Sequence, residues 1–327
     1  MGNGQRRLST VCAGMTLASL SAFPCVAEER SQVPLQNGAG TDTDQSIESA
    51  RGAVRSAAVW LASGVDSWFG SKPFSDGGKV VDGQVSLNLY NRQDTGGDSS
   101  VRFNARFKLP NLEEKTYLFT GQDNWQGVIT DSPAAFSAKQ QLLQKNTADS
   151  RSLYAGVGQM LSASTDARIG FRDGLKLFVQ GRFHHLWKPS AGAEVEFSQT
   201  LFFTRLDHLG TSTTLSYEHH FSPTWVGRWL NAVTATQVEP DAQWNSSLGM
   251  FKAFGQQRLL SMELLASAKQ NTGVALTDYG WQARWEKPVA NNRLMGELIV
   301  GHFWPQPTSA VARTTAWALG AGLKMRF

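Results

Sequence analysis

The chain ends with the stretch ARTTAWALGAGLKMRF, residues 312 to 327, in which the type of side chain alternates with a period of two. Large or apolar residues occupy every second position, namely Trp317, Leu319, Ala321, Leu323, Met325 and Phe327. The residues between them are small towards the start and cationic towards the end, namely Ala318, Gly320, Gly322, Lys324 and Arg326. Because successive side chains of a strand point to opposite faces, this pattern predicts a β-strand with two chemically different faces. Strands of soluble sheets also alternate in this way, so the surroundings must be inferred from the rest of the chain.

The position of this strand at the chain end, closed by an aromatic residue, resembles the last strand of bacterial outer-membrane β-barrels. In that class of proteins, the C-terminal Phe is part of the signal read by the barrel-assembly machinery. The resemblance implies that Trp317, Met325 and Phe327 form an assembly signal and that this machinery is a partner during biogenesis. It also implies that the protein belongs to a Gram-negative cell. Outer-membrane lipid and lipopolysaccharide would then surround the mature barrel.

The composition agrees with a barrel. The 327 residues are 41% hydrophobic with a mean hydropathy of −0.29, and no run approaches the about 18 apolar residues of a membrane-spanning helix. A polar average is expected when only alternate residues face lipid. Both cysteines, Cys12 and Cys25, lie near the start. The rest of the chain therefore has no disulfide or cysteine-metal site, and no cofactor or metal is predicted.

Residues 1 to 27 are predicted to form a secretory signal peptide. Arg6 and Arg7 precede an uncharged stretch over residues 8 to 23, and small residues precede a cleavage site after Ala27. Cleavage removes two of the 31 basic residues and none of the 27 acidic ones, so the formal charge falls from +4 to +2. This near-neutral balance gives no support to nucleic-acid binding.

Residues 28 to 45 are polar, lack apolar periodicity and are predicted to be flexible. From Ser46 the pattern changes, and an amphipathic helix is predicted over residues 46 to 70. Its apolar stripe consists of Ile47, Ala50, Val54, Ala57, Ala58, Leu61 and Val65. Two positions for this helix stay open. It packs against the barrel rim or inner membrane face, or it forms a plug inside the lumen.

Residues 80 to 327 are predicted to form an all-β fold, an antiparallel transmembrane β-barrel. Alternating segments recur between turn signals such as the one at residues 94 to 98. We count about fourteen strands, with twelve possible if the short third and fifth are misread. An even number is required of single-chain bacterial barrels. The longest connection, residues 123 to 150, is either a surface loop with a short helix after Ser132 or a loop folded into the lumen.

The positions of the aromatic residues predict two aromatic belts, one at each membrane interface. With both barrel ends in the periplasm, four tryptophans fall near the outer rim, namely Trp244, Trp281, Trp304 and Trp317. Four aromatic residues fall near the inner rim, namely Trp187, Trp225, Trp285 and Phe327.

The predicted register turns a set of charged residues towards the lumen. The basic ones are Arg102, Arg106, Arg168, Arg172 and Arg182, and the acidic ones are Glu194, Glu196, Glu218 and Glu297. Buried charges are costly unless they are paired or hydrated. The wall is therefore either an ion-pair network that stiffens the barrel or the lining of a pore whose Arg-rich side attracts anions. We interpret the chain as a narrow porin-like channel for small polar or anionic solutes.

Two alternatives belong to other functional classes. An outer-membrane enzyme acting on lipid or peptide needs a base near a hydroxyl, and Asp207 with His208 is the candidate catalytic cluster at the outer rim. The adjacent pairs His184–His185 and His219–His220 fall at the inner rim, and neighbours in a strand point to opposite faces, which argues against chelation of a metal by one pair. A structural or secretion-related barrel is the third possibility. The sequence leaves the oligomeric state open.

Overall fold

The computed structural model describes residues 41–66, 75, 77–111, 115–124, 151–173, 176–255, 257–290 and 294–327. The predicted signal peptide, residues 28 to 40 and 67 to 70, and the predicted helix after Ser132 lie outside the described residues. No helix in the described part of the chain has both the length and the apolar character needed to span a membrane.

One helix, α1 (Thr41–Asp66), precedes fourteen strands in the described part of the chain. The strands are β1 (Lys79–Arg92), β2 (Gly96–Lys108), β3 (Thr116–Asn124), β4 (Arg151–Met160), β5 (Thr165–Arg172), β6 (Lys176–Ser190), β7 (Ala193–Thr204), β8 (His208–Ser222), β9 (Trp225–Thr236), β10 (Gln243–Phe254), β11 (Arg258–Lys269), β12 (Asp278–Ala290), β13 (Leu294–Phe303) and β14 (Ala316–Arg326). The short strands β3 and β5 are both present, so the count is fourteen rather than twelve.

The strands form one closed antiparallel barrel in which each strand pairs with its neighbours in sequence. The closing pair joins β1 to β14, with Gln84 opposite Arg326 and Arg92 opposite Ala318. Closure pairs the backbone groups of the two end strands, which would otherwise form sheet edges. The prediction of an all-β transmembrane barrel is confirmed.

Alternate residues face the interior and the outside, as the period of two predicts. In β1, Leu87 and Leu89 are 42% and 52% exposed, whereas Ser86 and Asn88 are buried. The register carries these two faces around the barrel because directly paired residues share a face. The outer wall is therefore apolar, which suits contact with lipid.

The lengths of the connections orient the barrel. At the end where β1 begins and β14 ends, the turns are short, as at residues 191–192 and 223–224. The opposite end carries the longest connections, residues 125–150 and 304–315. Short periplasmic turns and longer outer loops are the rule in bacterial barrels. We therefore call the end that holds Lys79 and Arg326 the periplasmic end.

Aromatic rings cluster at both rims of the outer wall. At the outer rim, Trp281 and Trp317 lie 6.1 Å apart between ring centroids, and Trp304 stacks on Tyr279. At the periplasmic rim, the contacts between rings or between a ring and a cation include Phe254 with Trp285, His185 with Trp187 and Trp225 with Lys252. These belts are where amphipathic rings are most stable.

The helix α1 begins at Thr41, five residues before the predicted start. Among its described side chains, Ile47, Arg51, Val54 and Ala58 are less exposed than most of their neighbours. Their spacing of three and four residues places them on one face of the helix. The opposite face is exposed and mainly polar or small.

The packing of α1 decides between its two predicted positions. Ala58 belongs to a buried cluster with Ala105, Phe107, Leu109 and Leu118, against which Val80, Val157 and Phe327 also pack. The register places Phe107 on the outer face, yet it is completely buried. Arg51 Nε also donates a hydrogen bond to Arg326 O over 3.1 Å. The described part of α1 thus lies against the outer wall at the periplasmic rim, not inside the lumen.

A charge placed under α1 should weaken its attachment to the barrel. In Ala58→Asp, a carboxylate would enter the apolar cluster around Phe107, and we expect the free energy of unfolding to fall by about 3 kcal/mol. Ala53→Asp on the exposed face is the matched control, because both changes reduce helix propensity equally. The measurement is urea unfolding of the refolded barrel in detergent. Equal losses for the two variants would contradict the observed packing.

Candidate functional site

The barrel register places every predicted lumen-facing charge on the inner face. These residues are Arg102, Arg106, Arg168, Arg172, Arg182, Glu194, Glu196, Glu218 and Glu297. Their side chains are not equivalent, because their burial and their partners differ. That they line a pore stays a prediction.

A cluster of basic side chains on β2, β5 and β6 surrounds one carboxylate, Asp166. The Asp166 carboxylate accepts a hydrogen bond from Arg182 Nε over 2.8 Å and lies 3.2 Å from Arg168 Nε. Tyr117 Oη donates to Asp166 over 3.0 Å and accepts from Arg168 Nε over 2.8 Å. The guanidinium of Arg106 lies over the Tyr117 ring, 4.7 Å from its centroid. Arg168 and Arg182 therefore both contact Asp166, and Arg106 stacks on the tyrosine that is hydrogen-bonded to it.

Asp166 and Tyr117 are not among the site residues predicted from the sequence. Asp166 and Arg168 are two residues apart in one strand, which places them on the same face and is a usable signal. The hydrogen bond from Tyr117 to Asp166 joins β3 to β5 across β4, and no pattern in the sequence indicates that contact.

Glycines under the inner aromatic rings let the cluster lie flat on the wall. A Cβ on Gly158 would lie 2.3 Å from the Tyr117 ring, and one on Gly156 would lie 2.8 Å from the Phe119 ring. A side chain on either glycine would therefore force the ring above it to shift. The wall here has three layers, which are a glycine backbone, an aromatic ring and a guanidinium. For example, the guanidinium carbon of Arg168 lies 5.6 Å from the centroid of the Phe119 ring.

The acidic side chains of the later strands are largely neutralised by ion pairs. The pairs are Glu194 with Lys188 at 2.8 Å, Glu218 with Arg228 at 2.6 Å and Glu297 with Arg284 at 3.0 Å. Glu218 also lies 3.2 Å from His220 Nε2. These paired acidic side chains therefore resemble an ion-pair network that stiffens the barrel more closely than the open, charged lining of a pore.

A further ion pair braces the interior near the outer rim. The guanidinium of Arg92 on β1 reaches Asp278 on β12 at 2.6 Å and Asp94 at 2.7 Å, and it lies 4.6 Å over the ring of Phe303. Arg92 is buried. Pairing two charges with such geometry offsets part of the cost of removing them from water.

Exposure of inward side chains decreases from the periplasmic end to the outer end. Arg106 and Glu196, near the periplasmic ends of their strands, are exposed. Farther along the strands, Thr200, Ser212 and Gln282 are 1%, 1% and 0% exposed. We call the accessible inner region near the periplasmic end the vestibule. Its described charged residues include Arg102, Arg106, Arg182, Glu196 and Glu218.

The candidate catalytic residues are not brought together. Asp207 Oδ2 accepts a hydrogen bond from Thr204 Oγ1 over 2.8 Å, and the Asp207 backbone N–H donates to the same hydroxyl. Arg172 lies 3.9 Å from the Asp207 carboxylate. His208 is exposed with a backbone φ of 54°, and no hydrogen bond joins it to Asp207 in the described part of the chain. Asp207 closes the turn between β7 and β8.

The histidine pairs divide between the two faces. His185 and His219 face outwards among the aromatic rings Trp187 and Phe221, whereas His220 faces the vestibule. Among the described residues, no group of three His, Cys, Asp or Glu side chains is placed to hold a metal ion.

Comparison with known proteins adds a likeness in fold. The sequence matches no protein-family profile and no curated protein. Its fold is that of bacterial outer-membrane β-barrels. The structure is similar to the outer membrane channel DcaP of Acinetobacter baumannii, with a TM-score of 0.47 and 8% identity, covering 79% of this chain and 99% of that one. It is also similar to the anion-selective porin from Comamonas acidovorans, with a TM-score of 0.44 and 10% identity, covering 76% and 100%.

The difference in exposure along the lumen is measurable with cysteines. Cys12 and Cys25 are the only native cysteines, and in a background where both are Ser we expect Arg106→Cys to react with a small charged methanethiosulfonate at least about tenfold faster than Ser212→Cys. The reason is that both positions face inwards but only the first is open to water. The measurement is the modification rate in detergent, followed by mass spectrometry. Equal rates would show that the outer half of the lumen is as accessible as the vestibule.

Proposed function

We propose that the protein is an outer-membrane channel for small polar solutes that prefers anions. The observation that carries this proposal is the unequal distribution of basic and acidic side chains around the inner wall. Basic residues outnumber acidic ones on the inner faces of β2, β5 and β6, where Arg106, Arg168 and Arg182 lie around Asp166. Glu194, Glu218 and Glu297 on the other strands each have a basic partner.

The accessible position of this excess charge supports a role in attracting solutes. Arg106 is exposed in the vestibule, and a charge within a narrow lumen acts over roughly a Debye length of about 8 Å at physiological ionic strength. A cleft lined by charge of one sign raises the local concentration of counter-ions. Arg106 therefore favours anions at the periplasmic mouth of the lumen.

Planar-bilayer recordings test the channel and its selectivity together. In a KCl gradient, we expect the purified protein to conduct. We also expect the sign of the reversal potential to show that chloride is more permeant than potassium. Arg106→Glu removes a cation and adds an anion beside Arg168 and Arg182, so we expect the chloride-to-potassium permeability ratio to fall by about twofold or more.

Arg55→Glu is the matched control for this experiment. Arg55 lies on the exposed face of α1, outside the lumen, so the same change of charge should leave the permeability ratio unaltered. A wild-type protein without conductance would defeat the channel proposal. A wild-type preference for cations would defeat the role given to the arginine wall.

A further inference from the structure

We infer that the outer wall of the barrel carries a binding site for one anionic phospholipid of the periplasmic leaflet. An acyl chain of this lipid lies in an apolar groove over β12, β13, β14 and β1, and its phosphate lies at Lys287. The site is independent of the proposed channel, because it is on the lipid-facing side of the wall. Three features of the described residues support it: the groove, a basic side chain at its periplasmic end, and neighbouring carboxylates that face the lumen instead.

The groove exists because small residues face outwards on neighbouring strands. Ala283 on β12 and Ala321 on β14 form its floor, and its periplasmic part lies over Gly296 on β13. Two depressions of about 630 Å³ and about 340 Å³ share Trp285, Leu298 and Ala321, so they form one groove. Larger apolar side chains form its walls, namely Leu87, Leu89, Trp285, Leu298, Leu319 and Leu323.

The groove runs along the strands from the periplasmic rim towards the middle of the wall. Its two ends are at the levels of Gly296 and Val300 on β13, which are about 13 Å apart at the rise of a strand. Trp285 belongs to the aromatic belt that marks the periplasmic membrane interface. Lys287 is exposed and lies nearer to the periplasm on the same face of β12. Lys287 is therefore at the level of lipid headgroups, and the groove extends from there into the hydrocarbon.

The charges around Lys287 favour an anionic headgroup. On the outer face of the described strands β11 to β14 and β1, the Lys, Arg, Asp and Glu residues are Arg258 and Lys287, both basic. The nearby carboxylates of Glu286 and Glu297 face the lumen, where both contact Arg284. Among the described residues, Lys287 has no ion pair. A lipid phosphate at Lys287 would therefore meet a basic side chain and no carboxylate from these strands.

The helix α1 adds an ion pair beside the β14 end of the site. Arg51 donates a hydrogen bond to Arg326 O and lies 3.4 Å from the carboxylate of Glu48. These two side chains carry opposite charges, so together they do not change the balance at the rim. The positive charge at the mouth of the groove comes from the strands.

A second copy of the chain fits the groove less well than a lipid does. A two-fold interface places the same patch on both sides. Arg258 and Lys287 of one copy would then be close to the same residues of the other, with no carboxylate from these strands to pair with them. Burial of charges without partners is costly.

Native mass spectrometry of the purified protein in detergent tests the headgroup. With acyl chains matched, we expect phosphatidylglycerol to be retained about fivefold more than phosphatidylethanolamine. Lys287→Gln should remove this preference, and Lys287→Arg should keep it. Lys115→Gln is the matched control, because Lys115 is exposed at the periplasmic end but is separated from β12 by β13, β14, β1 and β2. Equal retention of the two lipids by the wild type would overturn the inference.

Filling the groove tests the acyl-chain part of the site. In Ala321→Phe, a ring would occupy the floor, and we expect phosphatidylglycerol retention to fall by about fivefold or more. Ala155→Phe on the outer face of β4 is the matched control, because Ala155 is exposed and lies outside the groove. Unchanged retention in Ala321→Phe would show that the lipid binds elsewhere.

Photo-crosslinking locates the lipid on the wall. Phosphatidylglycerol with a diazirine in its acyl chain should label β12 to β14 more than the other strands, and Ala321→Phe should remove this excess. Labelling spread evenly around the barrel would overturn the inference, because it would indicate non-specific contact with lipid. A dimer that retains no lipid and dissociates in Ala321→Phe would also overturn it, because a second copy would then cover the groove. Conductance does not enter either measurement, so the channel proposal stands or falls separately.

Discussion

The need to pair every backbone N–H and C=O group in a medium without water is the constraint on which the rest of the structure depends. Antiparallel strands meet it only if the first strand pairs with the last, and β1 and β14 do so from Gln84 to Arg92. Closure fixes the register of all fourteen described strands. Each side chain is thereby assigned to lipid or to the interior, and α1 is left to pack where the outer wall ends.

The interior shows how the chain accommodates charges that closure turns inwards. Where water reaches the inner face, in the vestibule, charged groups such as Arg106 and Glu196 stand exposed. Where the inner face is buried, the charged groups have partners, as Arg92 has in Asp278. This division follows from the cost of removing a charge from water, which only an ion pair or hydration offsets. The same barrel therefore combines buried, paired charges with charged side chains that remain exposed near the periplasmic end.

The sequence was sufficient to predict the features that depend on local periodicity. The fourteen strands, their two faces and the inward direction of Arg102 to Glu297 follow from a period of two. The position of α1 was not predictable, because a stripe such as Ile47 to Ala58 indicates that a helix packs but not against which wall. The partners in each ion pair were also not predictable from the sequence. The contact of Arg92 with Asp278, for example, depends on strand tilt and on the reach of the side chains across β13 and β14.

The selectivity of such a lumen depends on the charge that remains after pairing, not on the number of charged residues that face it. By sequence alone, five arginines opposite four glutamates suggest two walls of similar strength. In the structure, Glu194, Glu218 and Glu297 each contact a basic side chain, and Asp166 contacts both Arg168 and Arg182. A paired charge acts at a distance as a weak dipole, so its field falls off faster than that of an isolated charge. The paired acidic side chains therefore contribute less to the field in the lumen than their number suggests.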